Sequence, residues 1–126
     1  MLLILKVFDK NIYTAVNDEL KKYIQKNNIS KIYLCGFDTD ACVQKTAIDL
    51  FEQNYDVYVL KDYCMSHLGK ETHDFHINNL ARLIGKDRII SALQIEVFFS
   101  LDLHIIGKAE FAKIHIMWYN YIVSRK

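Results

Sequence analysis

The stretch Lys31–Phe51, "KIYLCGFDTDACVQKTAIDLF", decides the fold. It opens with a short apolar run rich in strand-forming residues, "KIYLCG", of the kind found in buried parallel strands. It closes with Val43, Ala47, Leu50 and Phe51 at helical spacing, so one stripe of a helix is apolar. Between the two lie a glycine, a threonine flanked by acids, and a cysteine immediately before the helix. A packed core accepts a cysteine almost anywhere. At the mouth of a helix that follows a strand its chemistry changes, because the helix N-terminus and a nearby cation both favour the thiolate.

The same rhythm continues on both sides. Val16, Leu20, Tyr23 and Ile24 mark an earlier amphipathic helix that "NNISK" ends. "QNY" breaks the helix after the cysteine, and "DVYVLKD" reads as the next strand. His73, Ile77, Leu80 and Ile84 give a third helical stripe, closed by Gly85 in the usual C-cap place, and "RIIS" follows as a last short strand. Alternating helices and strands predict an α/β fold, a parallel sheet in three Rossmann-like layers with helices on both faces. Ligands of such sheets bind beyond the carboxyl ends of the strands, where Gly36–Cys42 lies. After Ala92 the pattern changes: "IEVFF", "LDLHII" and "IHIMWYNYIV" are strand-formers without helical partners. The expected organisation is therefore a domain over 1–92 and an atypical tail over 93–126. The "IGK" echo between "LIGKDRII" and "HIIGKAEF" is too short to be a repeat.

Bulk properties narrow the function. The 126 residues suffice for one core, and 52% hydrophobic with 25% charged residues is the balance of a soluble globular chain. A net charge of +1 argues against nucleic acid and acidic membrane surfaces as partners. No apolar run is long enough to span a bilayer, and "MLLILKVF" is too short for a signal peptide. Three cysteines without a CxxC cannot all pair, so free thiols in a reducing cytoplasm are expected. His67, His73 and His76 raise a metal cluster, but their spacing matches no ligand pattern, and neither metal nor cofactor is expected. Cys35, inside a strand, and Cys64, after one, read as packing residues; Cys42 stands open between a nucleophile and a buried small hydrophobe.

"GFDTDACVQKTAIDLFEQNYDVYVLKD" closely resembles the isochorismatase-like cysteine hydrolases, which include the nicotinamidases. "SHLGKETHDFHINNLARLIGKDRII" is similar to the segment that follows in that family, and "FDKNIYTAVNDEL" to an element upstream of the cysteine. The resemblance runs from about Lys6 to Ser91. It implies Cys42 as nucleophile and Lys10 as the catalytic lysine. It implies an oxyanion hole from the amides of Asp38 and Cys42, a cis peptide at Phe37–Asp38, and a site loop of Gly36, Phe37, Thr39 and Asp40. His73 takes a structural place in it. The implied substrate is a small amide, cleaved through a thioester.

The family's catalytic aspartate, on an earlier strand, has no counterpart here; Asp9 and Asp18 do not occupy its position. The resemblance thus implies the C-terminal part of a cysteine hydrolase, lacking the N-terminal strand and helix and impaired by that loss. Self-association, as a homo-oligomer or with a missing N-terminal half, is expected through an open sheet edge, which the strand-forming tail is available to cover. The alternatives are a non-catalytic remnant or split-hydrolase subunit, and a small α/β binding module whose cysteine only packs.

Overall fold

The computed structural model describes Phe8, residues 10–94 and the backbone of 114–118. Its elements follow the predicted order: α1 (Asp18–Lys26), β1 (Lys31–Phe37), one turn of π-helix (Thr39–Val43), α2 (Gln44–Glu52), β2 (Asp56–Met65), α3 (Lys70–Ile84), a single 3₁₀ turn (Lys86–Arg88), β3 (Ile89–Ile90) and β4 (Ile114–Trp118). Every strand pairing is parallel, and the sheet order is β3-β2-β1-β4. The architecture is α/β, as the alternation of patterns requires.

Local chemistry explains the boundaries. Asn17 caps α1 by accepting the Leu20 N–H at 2.9 Å. Asn28 and Asn54 leave α1 and α2 with φ of 52° and 64°, a conformation asparagine tolerates better than most residues. Gly85 ends α3 at φ 110°, and a Cβ there would lie 2.7 Å from Asp87 Oδ1. Gly36, at φ 128°, sits where the β1–β2 register shifts, between the pairs Leu34–Val59 and Gly36–Cys64.

The core lies where helices meet the sheet. Five consecutive residues of β1, Ile32–Gly36, are buried, the continuous burial of a strand covered on both faces. Val57, Val59 and Leu60 of β2 join them, with Leu50 from α2, Leu80 and Ile84 from α3, and Leu20 and Ile24 from α1. α2 and α3 pack on β2 and on each other.

Two features add to the sequence reading. Cys42 lies just before α2, as expected, within a π-turn that leads into it. A stretch of the tail, Ile114–Trp118, is the fourth strand, paired with β1 from Lys31–Ile114 to Cys35–Trp118. The edge of β1 away from β2 is thereby occupied. The remaining tail segments lie outside the described residues.

Candidate active site

At the carboxyl end of β1 the chain passes through a cis Phe37–Asp38 peptide into the π-turn. Asp38 anchors that turn. Its carbonyl accepts the N–H of Ala41 at 3.2 Å and of Val43 at 3.0 Å, the two neighbours of Cys42. The Cys42 side chain is half-buried, and the Lys10 ammonium lies 3.8 Å from its Sγ. Lys10 Nζ also donates to the carbonyls of Ile12 at 2.6 Å and Tyr13 at 3.0 Å. An ammonium has three N–H donors, and these two carbonyls and the sulfur give it three acceptors. A positive charge at that distance from sulfur stabilises a thiolate over a thiol.

The segment carrying Lys10 is tied to the same helix that follows Cys42. The Ala15 N–H donates to the buried Thr46 Oγ1 at 3.0 Å, one helical turn beyond the cysteine. Near it, burial pushes the Asp49 carboxyl up, but Lys45 and Thr14 outweigh this and hold it below the usual range. Residues 10 and 42 are thus joined by long-range contacts that neither residue's sequence neighbours encode.

The other thiols contrast with Cys42. Cys35 is 1% exposed within β1. Burial pushes the Cys64 thiol from 9.0 up to about 12, and its Sγ donates to the Leu60 carbonyl at 3.4 Å. Only Cys42 combines partial exposure with a neighbouring cation among the three.

Three histidines close around the turn from the segment after β2. The His67 backbone N–H donates to Asp38 Oδ1 at 2.7 Å, and its ring Nδ1 lies 2.8 Å from Asp38 Oδ2. His73 Nδ1 lies 2.6 Å from Oγ1 of the fully buried Thr39. His76 Nδ1 lies 2.6 Å from Gln44 Oε1. Each histidine has its own partner, and no cluster of His, Cys, Asp or Glu among the described residues is arranged to hold a metal. Asp40 lies beside Ser66, whose hydroxyl above all holds the carboxyl below its usual range; burial opposes this, and His76 and His67 add Coulombic support. Asp40 Oδ1 is buried without a hydrogen-bond partner among the described residues.

The structure therefore brings together Lys10, Cys42 and the loop Gly36–Asp40, all named from sequence. Gln44, Ser66 and His67 escaped that reading as supports of the site. Their partners lie about thirty residues away, a relation that local patterning does not carry.

Comparison with known proteins bears on family and fold. The sequence model of the isochorismatase domain matches residues 5–87. Isochorismatase family protein 2A of Dictyostelium discoideum is 39% identical over 67 residues, 52% of this chain and 34% of that protein. The nicotinamidase of Saccharomyces cerevisiae is 32% identical over 62 residues, 44% of this chain and 29% of that protein. The pyrazinamidase/nicotinamidase structure from Streptococcus mutans superposes with a TM-score of 0.59 at 32% identity, over 65% of this chain and 45% of that one. An isochorismatase-like hydrolase from Alkaliphilus metalliredigens shares the fold, with a TM-score of 0.64 over 71% of this chain and 48% of that one. The chain spans about a third of the length of the curated relatives it matches. No helix among the described residues is long and apolar enough to cross a membrane.

Proposed function

The chain belongs to the isochorismatase family, and on that premise we propose that it carries the nucleophile half of a cysteine hydrolase acting on a small amide. The Cys42 thiolate attacks the amide carbonyl carbon. The C–N bond breaks, the amine leaves carrying the proton taken from the thiol, and an acyl thioester remains on Sγ. Water then adds, the C–S bond breaks, and a carboxylic acid is released with the thiol restored. Lys10 holds the thiolate between turnovers. The amides of Asp38 and Cys42 are the donors to the tetrahedral oxyanion, and Gly36, Phe37, Thr39 and Asp40 shape the loop that aims them.

One observation carries this reading: the Lys10 ammonium 3.8 Å from Cys42 Sγ, spanning thirty-two positions of sequence. Two carbonyls fix that ammonium, so its charge stands beside the sulfur before any substrate arrives. The test is iodoacetamide labelling of the native chain with mass-spectrometric site mapping. Cys42 is expected to label ahead of Cys35 and Cys64. Labelling of either of those first, or of Cys42 only after denaturation, overturns the assignment.

Turnover needs a proton acceptor as well as a thiolate. The Asp38 carboxylate is held by His67 through both oxygens, and a lysine ammonium cannot accept a proton. General-base assistance is worth about 10²–10⁴-fold, so the chain alone is expected to acylate and turn over poorly. A second reading is a subunit of a split hydrolase, in which another chain supplies the proton acceptor. An amidase screen of the chain, alone and with the N-terminal part of a relative supplied, separates the two. Robust turnover by the chain alone, lost in Cys42→Ala, removes the impairment. Turnover only with the supplied part supports the subunit.

A further inference from the structure

We propose that His67 is a positioning residue for the Cys42 thiol, acting through Asp38. The proposal deepens the reading of Cys42 as nucleophile and rests on it. The hydrogen bonds that bracket Cys42 converge on Asp38. Its carbonyl takes the N–H groups of Ala41 and Val43, the residues on either side of Cys42. Its carboxylate takes the backbone N–H of His67 at 2.7 Å and the ring at 2.8 Å. A carboxylate gripped at both oxygens cannot rotate without breaking both bonds. The backbone unit that carries it, and that carries the hydrogen bonds bracketing Cys42, is held with it.

The chemistry of the ring fixes what this grip does. An ionised carboxylate only accepts, so Nδ1 carries the proton and donates. Nε2 is then the nitrogen left for solvent, on a side chain that is 59% exposed. Because the acceptor is an ionised carboxylate, the ring N–H bond is charge-assisted, about twice as strong as a neutral one. The backbone N–H bond to the other oxygen makes the grip two-pronged. The charged and titratable groups around it are few. The turn contributes Asp38 and Asp40, with Asp40 in the Coulombic field of both His67 and His76. α3 contributes His73, on Thr39, and His76, on Gln44. Lys10 stands at the sulfur itself.

The position of the thiol relative to Lys10 is what a slack turn alters. A displacement of Sγ away from the ammonium costs the thiolate its Coulombic partner, and the attraction falls with distance. Loss of His67 therefore changes the pH at which Cys42 becomes reactive, whereas a merely looser loop changes only how fast reagent reaches it.

The test is the rate of Cys42 alkylation by iodoacetamide as a function of pH on the full chain. Wild type, His67→Ala and His67→Arg are compared, with circular dichroism as a check of folding. In His67→Ala the midpoint of the labelling curve is expected to move up by about half a pH unit or more. In His67→Arg, whose guanidinium grips a carboxylate with two N–H groups and keeps its charge, the midpoint is expected to return. An unmoved midpoint in a folded His67→Ala overturns the proposal, as does a midpoint that stays raised in a folded His67→Arg. If His67→Ala does not fold, His67→Gln replaces it with the same midpoint criterion, and its own failure to fold, with a folded His67→Arg, supports the grip on Asp38. If wild-type Cys42 fails to label ahead of the other two thiols, the nucleophile reading itself falls, and the proposal with it.

Discussion

The molecule contains two consecutive strand–turn–helix units of the same plan, and they have diverged in role. In the first, β1 runs through the π-turn into α2; in the second, β2 runs through residues 66–69 into α3. Each has a buried cysteine in or at the end of its strand, Cys35 and Cys64. The first unit puts Cys42 in its turn beside Lys10. The second puts histidines at 67, 73 and 76, each reaching back to the first unit. One unit holds the candidate nucleophile, and the histidines of its neighbour contact residues around it. In a parallel sheet the carboxyl ends of adjacent strands are side by side, so this division of labour needs no extra domain.

The sharpest break of the comparison is chemical. Cys42→Ala should abolish labelling of the native chain by iodoacetamide, while Cys64→Ala should leave it unchanged; mapped peptides after brief exposure decide this. The next is packing. Leu50 on α2 and Leu80 on α3 are both fully buried. Leu50→Ala and Leu80→Ala should each cost about 2–5 kcal/mol in urea unfolding. Similar costs make the two units one cooperative core, and a loss of only one unit's signal would separate them.

Thr39→Val should cost about 1–3 kcal/mol, because it leaves the His73 nitrogen facing a methyl group in a buried place. A His73→Ala change in the same background should then cost little more, since the pair is already broken. The pH dependence of stability divides the units again, in opposite directions. The folded Asp40 carboxyl lies below its ordinary value, so its contribution is present above the unfolded value and lost as pH falls through the folded one. Asp40→Asn should flatten the acid limb of a stability–pH curve. The Cys64 thiol is pushed from 9.0 up to about 12, so its contribution is complete below 9.0 and lost as pH rises towards 12. Cys64→Ala should flatten the alkaline limb. The smallest effect belongs to the Lys45–Asp49 pair, 2.5 Å apart, whose lysine is exposed. Lys45→Ala should change stability by about 0–1 kcal/mol and leave Cys42 labelling untouched.

Much of the architecture was legible because it is periodic. Leu20 and Ile24, Ala47 and Leu50, Ile77 and Leu80 repeat at helical spacing and are buried as that spacing requires. β1 and β2 were legible from apolar runs, although β2 extends to Met65, past its last charged residue. The π-turn was not, because Thr39–Val43 differs from a helix start only by which carbonyl the Val43 N–H finds. Lys10 and Cys42 entered as candidates through the family resemblance, and their proximity is a fact of tertiary structure. The histidines show the limit most plainly. Their closeness in sequence raises a shared metal, though their spacing matches no ligand pattern, and each contacts a different polar residue, Asp38, Thr39 or Gln44. β4 was legible as a strand-former, but its place in the sheet depends on pairing with residues far away.

That pairing sets an order of assembly. β1 and β2 meet across about twenty-five residues of chain, whereas β1 and β4 meet across about eighty. Closing the longer loop costs about 1 kcal/mol more in chain entropy, and contacts of long sequence separation form slowly. On the ribosome the difference is larger, because the edge of β1 is made long before residue 114 leaves the exit tunnel. During that interval the row of free N–H and C=O groups along Lys31–Cys35 is a template for any strand within reach. Ile114–Trp118 is the segment that closes this row, and it is the last of the paired strands to be made.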